Sequence, residues 1–287
     1  MNTIENLSQE NLPAGLYLVA TPIGNLRDIS LRALDTLSSV DLILCEDTRV
    51  TKKLLSAYGI HTPVNIYHDH SDDSVRDKMI TLMQRGKSIA LVSDAGMPLI
   101  SDPGYKFVRE CRKENILITS IPGANAFLMG LQLSALPCEK FTFLGFLPPK
   151  AGPRKTMLKE WASHPVTFGF YEAKQRILKT LKDCQDVLGE REISISRELT
   201  KKFEEVLTGS IDDIISQLES RSELKGEFVV FIAPGAEEKA SHDDIKSDIL
   251  HLLGQGERAK DISIMLAEKY NQPRSQIYDL ILELKQS

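Results

Sequence analysis

The chain has 287 residues, of which 42% are hydrophobic and 26% are charged, as in ordinary globular proteins. That length suits two α/β domains and a small appendage, and the composition excludes a fibrous repeat and a largely disordered chain. The longest apolar runs are only as long as strands, so no segment is predicted to span a membrane. The net charge of −5 argues against nonspecific binding of nucleic acid by the chain as a whole.

The N-terminal segment and the cysteines both indicate a cytoplasmic protein. Residues 1–11 are polar and lack the basic start and apolar stretch of a signal peptide. The four cysteines show no Cys-x-x-Cys spacing, which argues against a structural zinc site and against a disulfide framework. We therefore expect a reduced, cytoplasmic protein that binds no metal and no membrane.

Strands and helices alternate in the first half of the chain. Five short runs rich in Val, Ile and Leu are predicted strands: Leu16–Ala20, Asp41–Cys45, Val64–Tyr67, Ser88–Ser93 and Ile116–Ile121. The segments between them are predicted helices: Ser30–Val40, Thr48–Tyr58, Ser74–Arg85 and Gly104–Asn115. Because the strands are continuously apolar, we expect a mostly parallel sheet that helices cover on both faces.

A second α/β domain is predicted to begin near Gly123. Its strand candidates are Phe141–Phe146, Val166–Tyr171, Glu192–Ser196 and Glu227–Ala233. Residues 148–153 are rich in helix breakers and are predicted to form a loop. The predicted organisation is an N-terminal tail (1–14), an N-terminal α/β domain (15–122), a C-terminal α/β domain (123–236) and a small helical domain (237–287).

Three short amphipathic helices are predicted at the end of the chain: Asp243–Leu253, Ala259–Tyr270 and Pro273–Lys285. Their spacing resembles a helix-turn-helix unit. However, residues 242–287 carry six basic and eight acidic side chains, whereas a DNA-reading module is usually more basic. We expect a packing or partner-contact role, with nucleic-acid contact as the alternative.

Four loops follow predicted strand ends, which is where open α/β sheets bind their ligands. They contain Gly and Pro, which permit tight turns and a close approach of the backbone to a ligand: Thr21–Leu26, Glu46–Arg49, Ser93–Gly104 and Ile121–Ala126. Taken singly, each loop is better explained as an ordinary turn. None carries the glycine pattern of a dinucleotide site, a phosphate loop or a serine-hydrolase elbow, which argues against those enzyme classes.

Taken together, motifs at these loops and in the second half follow a specific order. They are Leu18–Leu26, Glu46–Arg49, Ser93–Gly104, Gly145–Pro148, Phe170–Glu172, Arg197–Lys201 and Lys225–Glu227. Between about Gly15 and Pro234 the chain thereby resembles the ribosomal RNA small-subunit methyltransferase I family of the tetrapyrrole-methylase superfamily. The resemblance implies two α/β/α domains with a cofactor cleft between them, usually in a homodimer.

The same resemblance implies a reaction and a set of cofactor contacts. The reaction would methylate the ribose 2′-hydroxyl of a cytidine near the decoding centre of 16S rRNA, in free rRNA or in the small ribosomal subunit, using S-adenosylmethionine. The residues at or near that cofactor would be Pro22, Asp94, Gly96, Met97, Gly123, Asn125, Ala126, Tyr171 and Glu227. The chain departs from the family pattern at Met97, where Thr is usual, and at residues 173–175, to which no role is carried over.

Methyl transfer to a hydroxyl requires an in-line arrangement and a group that accepts the hydroxyl proton. The candidate acceptors are Glu46, Asp47, His68 and His70, and Arg49 would pair with the two carboxylates or with an RNA phosphate. The alternatives are a local salt bridge for the carboxylates and a hydrogen-bonded loop for the histidines. The histidines lack a third ligand at a suitable spacing, so no metal site is predicted.

Basic side chains cluster between residues 140 and 182, where there are nine of them against two acidic ones. This excess indicates either a surface that contacts phosphates or a solvated helix face. The predicted RNA contacts are His68, His70, Lys150, Arg154, Lys155, Lys159, Arg197 and Lys201. For Arg197 and Lys201, pairing with Glu198 or Glu204 is the alternative.

Two other functions compete with rRNA methylation. One is methylation of a tetrapyrrole, another small molecule or a protein side chain by an enzyme of the same superfamily. The other is a ribosome-binding factor that binds the cofactor weakly and catalyses nothing, for which Met97 and residues 173–175 are the only support. The Glu46–Arg49 motif and the basic stretch favour RNA over the first of these.

Overall fold

A computed structural model describes residues 11–68, 73–235, 242–270 and 272–286 of the chain. Internal contacts divide it into two units, Met1–Glu160 with Val166–Ala233 and Trp161–Pro165 with Pro234–Ser287. The first unit holds both α/β domains, and the second holds the C-terminal helices. Most of the predicted N-terminal tail and residues 236–241 lie outside the described residues.

The first sheet consists of five parallel strands in the order β3-β2-β4-β1-β5. The strands are β1 (Gly15–Val19), β2 (Leu42–Cys45), β3 (Val64–Ile66), β4 (Ser88–Val92) and β5 (Ile118–Ile121). Alternate side chains of β1 enter different cores, Leu16 on one face and Tyr17 on the other. The prediction of a parallel sheet buried on both faces is therefore confirmed.

Four helices connect these strands and cover the sheet. They are α1 (Leu31–Ser39), α2 (Thr48–Ala57), α3 (Asp73–Gln84) and α4 (Tyr105–Lys113). Two of them begin at side-chain caps, since Ser30 accepts from the Ala33 N–H and Asp47 accepts from the Arg49 N–H. All four predicted helices are confirmed, with ends that lie within two residues of the prediction.

The second sheet is mixed, in the order β6-β7-β10-β8-β9. Its strands are β6 (Phe141–Phe146), β7 (Thr167–Ala173), β8 (Glu192–Arg197), β9 (Glu205–Ser210) and β10 (Glu227–Ile232). Only β6 and β7 run parallel. The helices of this domain are α5 (Ala126–Leu133), α6 (Ala151–Trp161), α7 (Ile177–Leu188) and α8 (Ile211–Glu219). Strand β9 was absent from the prediction.

Residues 148–153 are only partly a loop, because α6 already begins at Ala151. The first hydrogen bond of the helix runs from the Arg154 N–H to the Lys150 carbonyl. Pro153 precedes that bond, and its missing N–H has no intrahelical partner to lose in the first turn. The proline is thus compatible with the start of a helix, and the loop prediction is wrong for residues 151–153.

One hydrophobic cluster joins the two α/β domains. Ile23, from the loop after β1, packs with Phe127, Leu131, Leu199 and Phe231 of the second domain. Burial of such side chains favours association by about 1.5–3 kcal/mol each. This shared core fixes the loops of the first domain against the strands of the second.

The C-terminal unit contains three helices, α9 (His242–Gly254), α10 (Ala259–Lys269) and α11 (Arg274–Gln286). They pack around a core that includes Ile249, Ile262 and Ile281. The three predicted helices are therefore confirmed. Among the helices that the structure describes, none combines the length and the apolarity needed to cross a membrane.

Candidate functional site

A cavity of about 420 Å³ lies between the two α/β domains. The first domain lines it with the loops that follow β1, β2 and β4. The second lines it with β6, β7, β8, β10, the loop after β8 and the start of α5. Its volume falls in the usual range for small-molecule sites. The position outside the carboxyl ends of parallel strands is the one at which open α/β sheets bind ligands.

The loop after β4 is fastened to the loop after β1. Thr21 and Gly96 exchange two backbone hydrogen bonds, of 2.8 and 3.1 Å. The Thr21 hydroxyl donates to the Ser93 carbonyl, and the Ser93 hydroxyl donates to the Gly96 carbonyl at 2.9 Å. Gly96 has φ +84°, which glycine adopts without steric cost. These bonds hold the backbone of the cavity wall in one conformation.

The same loop continues through strained backbone. Leu99 and Ser101 have φ of 71° and 66°, a region that costs a non-glycine residue about 1–3 kcal/mol. Ser101 lines the cavity together with Ile100 and Asp102. Backbone strain of this kind concentrates at ligand sites, where the surrounding contacts maintain it.

Three carboxylates of the first domain face the cavity: Glu46, Asp94 and Asp102. Burial, together with the charges of Glu46 and Asp94, raises the pKa of Asp102 to about 6. Asp94 is held in place by the Asp47 N–H, which donates to its Oδ1 at 3.1 Å. This wall of the cavity is thus strongly anionic and suits a cationic ligand group.

The opposite wall carries a lysine whose charge is already balanced. Lys201 Nζ donates to Glu198 Oε1 at 2.9 Å and to Glu227 Oε2 at 3.1 Å. Burial works against the charged form of Lys201, but these two bonds outweigh it and raise the pKa. Gly24 lies against this side chain, since a Cβ there would fall 2.5 Å from Lys201 Cγ. Only glycine allows the loop after β1 to approach so closely.

The cavity collects most of the residues that the family resemblance implies for the cofactor. Seven of them line it: Asp94, Gly96, Met97, Asn125, Ala126, Tyr171 and Glu227. Pro22 and Gly123 do not line it. A Cβ at Gly123 would lie 2.8 Å from Ala20 Cβ, so that glycine serves a close approach of the backbone to β1.

The predicted catalytic residues separate into two groups. Glu46 lines the cavity, whereas Asp47 and Arg49 do not and bind each other, with Arg49 Nη2 2.6 Å from Asp47 Oδ2. Hydrogen bonds from the Arg49 side chain lower the pKa of Asp47 to about 2. A carboxylate with so low a pKa is a weak proton acceptor. The geometry therefore favours the salt-bridge alternative for this pair.

The structure gives no support to the predicted contacts of the two histidines. His68 is exposed and does not line the cavity. His70 lies outside the described residues. Among the residues that the structure does describe, no cluster of three or more His, Cys, Asp or Glu side chains could hold a metal ion.

The predicted RNA contact of Arg154 is wrong, because its side chain is buried at 4% exposure. Its Nε donates to Asp183 Oδ2 at 2.7 Å, and its Nη1 donates to the carbonyls of Pro148 and Pro149. The basic stretch defined from the sequence ends at residue 182, one position before this acidic partner. Arg154 therefore stabilises the fold and is not available to phosphate.

The other predicted RNA contacts differ in how freely they could meet a phosphate. Lys150 and Lys159 are exposed. Lys155 binds Asp186 at 2.6 Å and Asp183 at 3.3 Å. Arg197 donates to Glu205 and to the Lys225 carbonyl, each at 3.1 Å. Its acidic partner is thus neither of the two glutamates weighed from the sequence, and Lys201 belongs to the cavity.

Several cavity residues were not singled out from the sequence. Ile100 and Asp102 lie within the Ser93–Gly104 loop, and Phe146 lies within the Gly145–Pro148 motif. Neither the residue types nor their spacing in the sequence indicated a role for these three. Ser196 and Phe228 lie on strands, where apolar alternation gives no signal of a ligand. The Ser196 hydroxyl is buried and, among the described residues, has no hydrogen-bond partner.

Comparison with known proteins agrees with this geometry. The sequence pattern of the tetrapyrrole (corrin/porphyrin) methylases matches residues 15–215. The ribosomal RNA small subunit methyltransferase I of Rickettsia prowazekii is 40% identical over 96% of this chain and 98% of its own length. That of Synechocystis sp. is 43% identical over 94% and 98%.

A solved structure shares the fold at low sequence identity. The uroporphyrin-III C-methyl transferase of Thermus thermophilus, complexed with S-adenyl homocysteine, aligns with a TM-score of 0.52 at 14% identity. The alignment covers 78% of this chain and 98% of that one. The two-domain architecture expected from the resemblance is thereby confirmed as the tetrapyrrole-methylase fold. On the strength of its full-length relatives, the chain belongs to the ribosomal RNA small subunit methyltransferase I family.

Proposed function

We propose that this protein transfers a methyl group from S-adenosylmethionine to the ribose 2′-hydroxyl of a cytidine near the decoding centre of 16S rRNA. The names of relatives that match almost the whole chain support the rRNA substrate. The observation that carries the proposal is the anionic cavity between the domains, with Glu46, Asp94 and Asp102 on one wall. Such a wall favours a ligand that carries a positive charge.

The residues present fit this cofactor. The cavity combines apolar side chains, such as Met97 and Ile100, with the buried Ser196 hydroxyl, which can still form a hydrogen bond. Mostly apolar walls with a few polar groups are typical of sites for small organic ligands. The related fold of the Thermus enzyme was solved with S-adenyl homocysteine, which is the demethylated form of this cofactor.

When bound, S-adenosylmethionine supplies a methyl group on a positively charged sulfur. The carboxylates of Glu46, Asp94 and Asp102 stabilise a positive charge in the cavity, and a partly buried position strengthens that effect. Lys201 does not oppose it, because Glu198 and Glu227 neutralise its charge. The fastened loop between Ser93 and Gly96 keeps the wall in place, and such positioning is the main requirement of an in-line transfer.

The acceptor hydroxyl must also lose its proton. Asp102 suits this task, because a pKa of about 6 leaves it ionised at neutral pH and still basic. Glu46 lies on the same wall and raises that pKa through its charge. We therefore place proton acceptance on Asp102 or Glu46, and not on Asp47.

Methyl transfer from labelled S-adenosylmethionine to small ribosomal subunits lacking this modification tests the proposal, with the product nucleoside identified by mass spectrometry. A single 2′-O-methylcytidine is the expected product. A parallel reaction with uroporphyrinogen tests the tetrapyrrole alternative. Binding of subunits without any transfer would instead indicate the non-catalytic ribosome-binding factor.

The remaining parts of the proposal concern the partners. We place the RNA against the exposed side chains of Lys150 and Lys159. We further propose that the protein forms a homodimer and acts in the cytoplasm. Light scattering coupled to size-exclusion chromatography measures the oligomeric state. A mass of twice 32.1 kDa is the expected result.

A further inference from the structure

Four aromatic rings form a continuous row from the core of the second domain to the rim of the cavity. Phe127 is buried and its ring lies 4.6 Å from that of Phe143. The ring centroids of Phe143 and Tyr171 lie 4.8 Å apart, and those of Tyr171 and Phe146 lie 5.6 Å apart. Both pairs meet edge to face. Such pairs are favourable beyond the burial of their surface. The outermost ring is therefore held from behind by a packed column.

Phe146, the outermost ring of this row, is more exposed than the other aromatic side chains of the cavity. Three aromatic side chains line the cavity, and of these Tyr171 is partly buried and Phe228 is buried. Phe146 is 55% exposed. An apolar ring that is supported on one side and open on the other offers a flat surface to a ligand.

A local irregularity of the strand directs Phe146 to this place. The register between β6 and β7 shifts between Phe143 and Phe146, and Gly145 has φ +66°. A bulge with a left-handed glycine bends the strand and changes the direction of the next side chain. A Cβ at Gly145 would lie 3.6 Å from Ser101 Oγ, so the bulge lies against the strained loop after β4.

The exposed ring adjoins the place where the acceptor must lie. The ribose and its base are joined by one glycosidic bond, so a hydroxyl that reaches the methyl donor brings its base to the edge of the same cavity. RNA bases that are read or modified are taken out of the stack and packed on aromatic side chains. Glu46, Asp94 and Asp102 line the cavity from the first domain, and the ring of Phe146 lines it from the second.

We propose that Phe146 is the surface on which the target base of the substrate RNA stacks during methylation. This inference rests on the proposed function, because it assumes an RNA acceptor at this cavity. The aromatic row behind Phe146 limits the freedom of the ring before the substrate arrives. Stacking on a face of this kind tolerates any base, so Phe146 positions the acceptor and leaves sequence selection to other contacts.

Replacement of Phe146 by Leu, Tyr and Trp tests this role. Removing the ring in Phe146→Leu should raise the KM for unmethylated small subunits by about five-fold or more, since base–aromatic stacking contributes about 1–3 kcal/mol. Phe146→Tyr and Phe146→Trp should remain within about two-fold of the parent, because both keep a ring. The Kd for S-adenosyl homocysteine, measured by calorimetry, should not change in any of them.

The matched control is Phe141→Leu, which removes a ring from the other end of β6. Phe141 has a similar exposure of 43% and does not line the cavity. It should leave the KM for subunits unchanged, which separates stacking from a general loss of aromatic surface on this strand.

Three results would overturn the inference. The first is an unchanged KM in Phe146→Leu, and the second is an equal loss in Phe146→Tyr and Phe146→Leu. The third is a weaker Kd for S-adenosyl homocysteine in Phe146→Leu, which would assign the ring to the cofactor. If the parent enzyme methylates no subunit at all, the proposed function itself fails, and this is recognised before any variant is compared.

Discussion

The buried ion pair between Arg154 and Asp183 gives a prediction that separates folding from RNA binding. Arg154→Met replaces the apolar stem of the side chain but removes its charge and its N–H donors. The carboxylate of Asp183 then stays in a buried position without its main partner. The Pro149 carbonyl loses its bond from Arg154, and the Pro148 carbonyl keeps only the one from Arg176. Removal of one partner of a buried pair costs about 3–5 kcal/mol.

The structure places the expected cost at the lower end of that range. Lys155 Nζ lies 3.3 Å from Asp183 Oδ1 and stays in place as a second, partly exposed cation. We therefore expect a loss of about 3 kcal/mol in the free energy of unfolding. For a unit of this size the loss corresponds to a fall in Tm of about 6–12 °C. Urea unfolding followed by circular dichroism measures the first quantity, and calorimetry measures the second.

A second substitution and a control complete the experiment. The double variant Arg154→Met with Asp183→Leu removes both charges and should recover most of the lost stability. Lys159→Met, on the exposed side of the same helix, should change stability by less than about 0.5 kcal/mol. If Lys159 contacts phosphate, its loss should lower the slope of log K against log salt by about one.

The opposite pattern would refute this assignment. Arg154→Met would then keep the stability of the parent protein and would weaken binding to the small subunit with a reduced dependence on salt. That result would show that Arg154 contacts the RNA. Binding is measured at a temperature at which all the variants are folded, so that instability does not imitate a loss of affinity.

Two further predictions concern the cavity. The folded protein holds the Asp102 proton more tightly than the unfolded chain, with a pKa of about 6 against the usual 3.8. Ionisation of Asp102 therefore lowers the free energy of unfolding progressively as the pH rises between these values. Asp102→Asn should raise Tm at pH 8 but not at pH 3. A pH series of thermal melts will show or contradict this result. Gly24→Ala places a Cβ 2.5 Å from Lys201 Cγ and should weaken binding of S-adenosyl homocysteine about ten-fold by displacing a cavity loop. Gly152→Ala meets no atom within 4 Å and is its control; equal affinity in both variants would show that the loop contact does not matter.

Much of the first domain could be predicted from the sequence because its pattern is simple. Continuous apolar runs and short helices repeat there, and β1 to β5 all appeared within two residues of their observed ends. The second domain was harder, because antiparallel strands are less uniformly apolar. Strand β9, with the sequence EVLTGS, owes its place to pairing with β8 along its whole length, and no local signal announces such a partner.

The candidate site was predictable as a set of loops and not as a set of roles. The motifs placed Glu46, Asp94 and Asn125 near one another because loops at strand ends meet at one sheet edge. They could not show that Asp47 forms a salt bridge with Arg49, because the Glu46–Arg49 motif fits a salt bridge and a proton acceptor equally well. Nor could they show the burial of Arg154, because its partner comes from another helix in the folded chain.

The position of β1 between β4 and β5, inside the first sheet, has a consequence for biosynthesis. The strand leaves the ribosome early, but its neighbours β4 and β5 begin only at Ser88 and Ile118. At the usual rates of translation, β4 follows about 4–15 s later. During that interval the apolar strand has no partner in its own sheet, so we expect the nascent chain to depend on chaperones until β4 emerges.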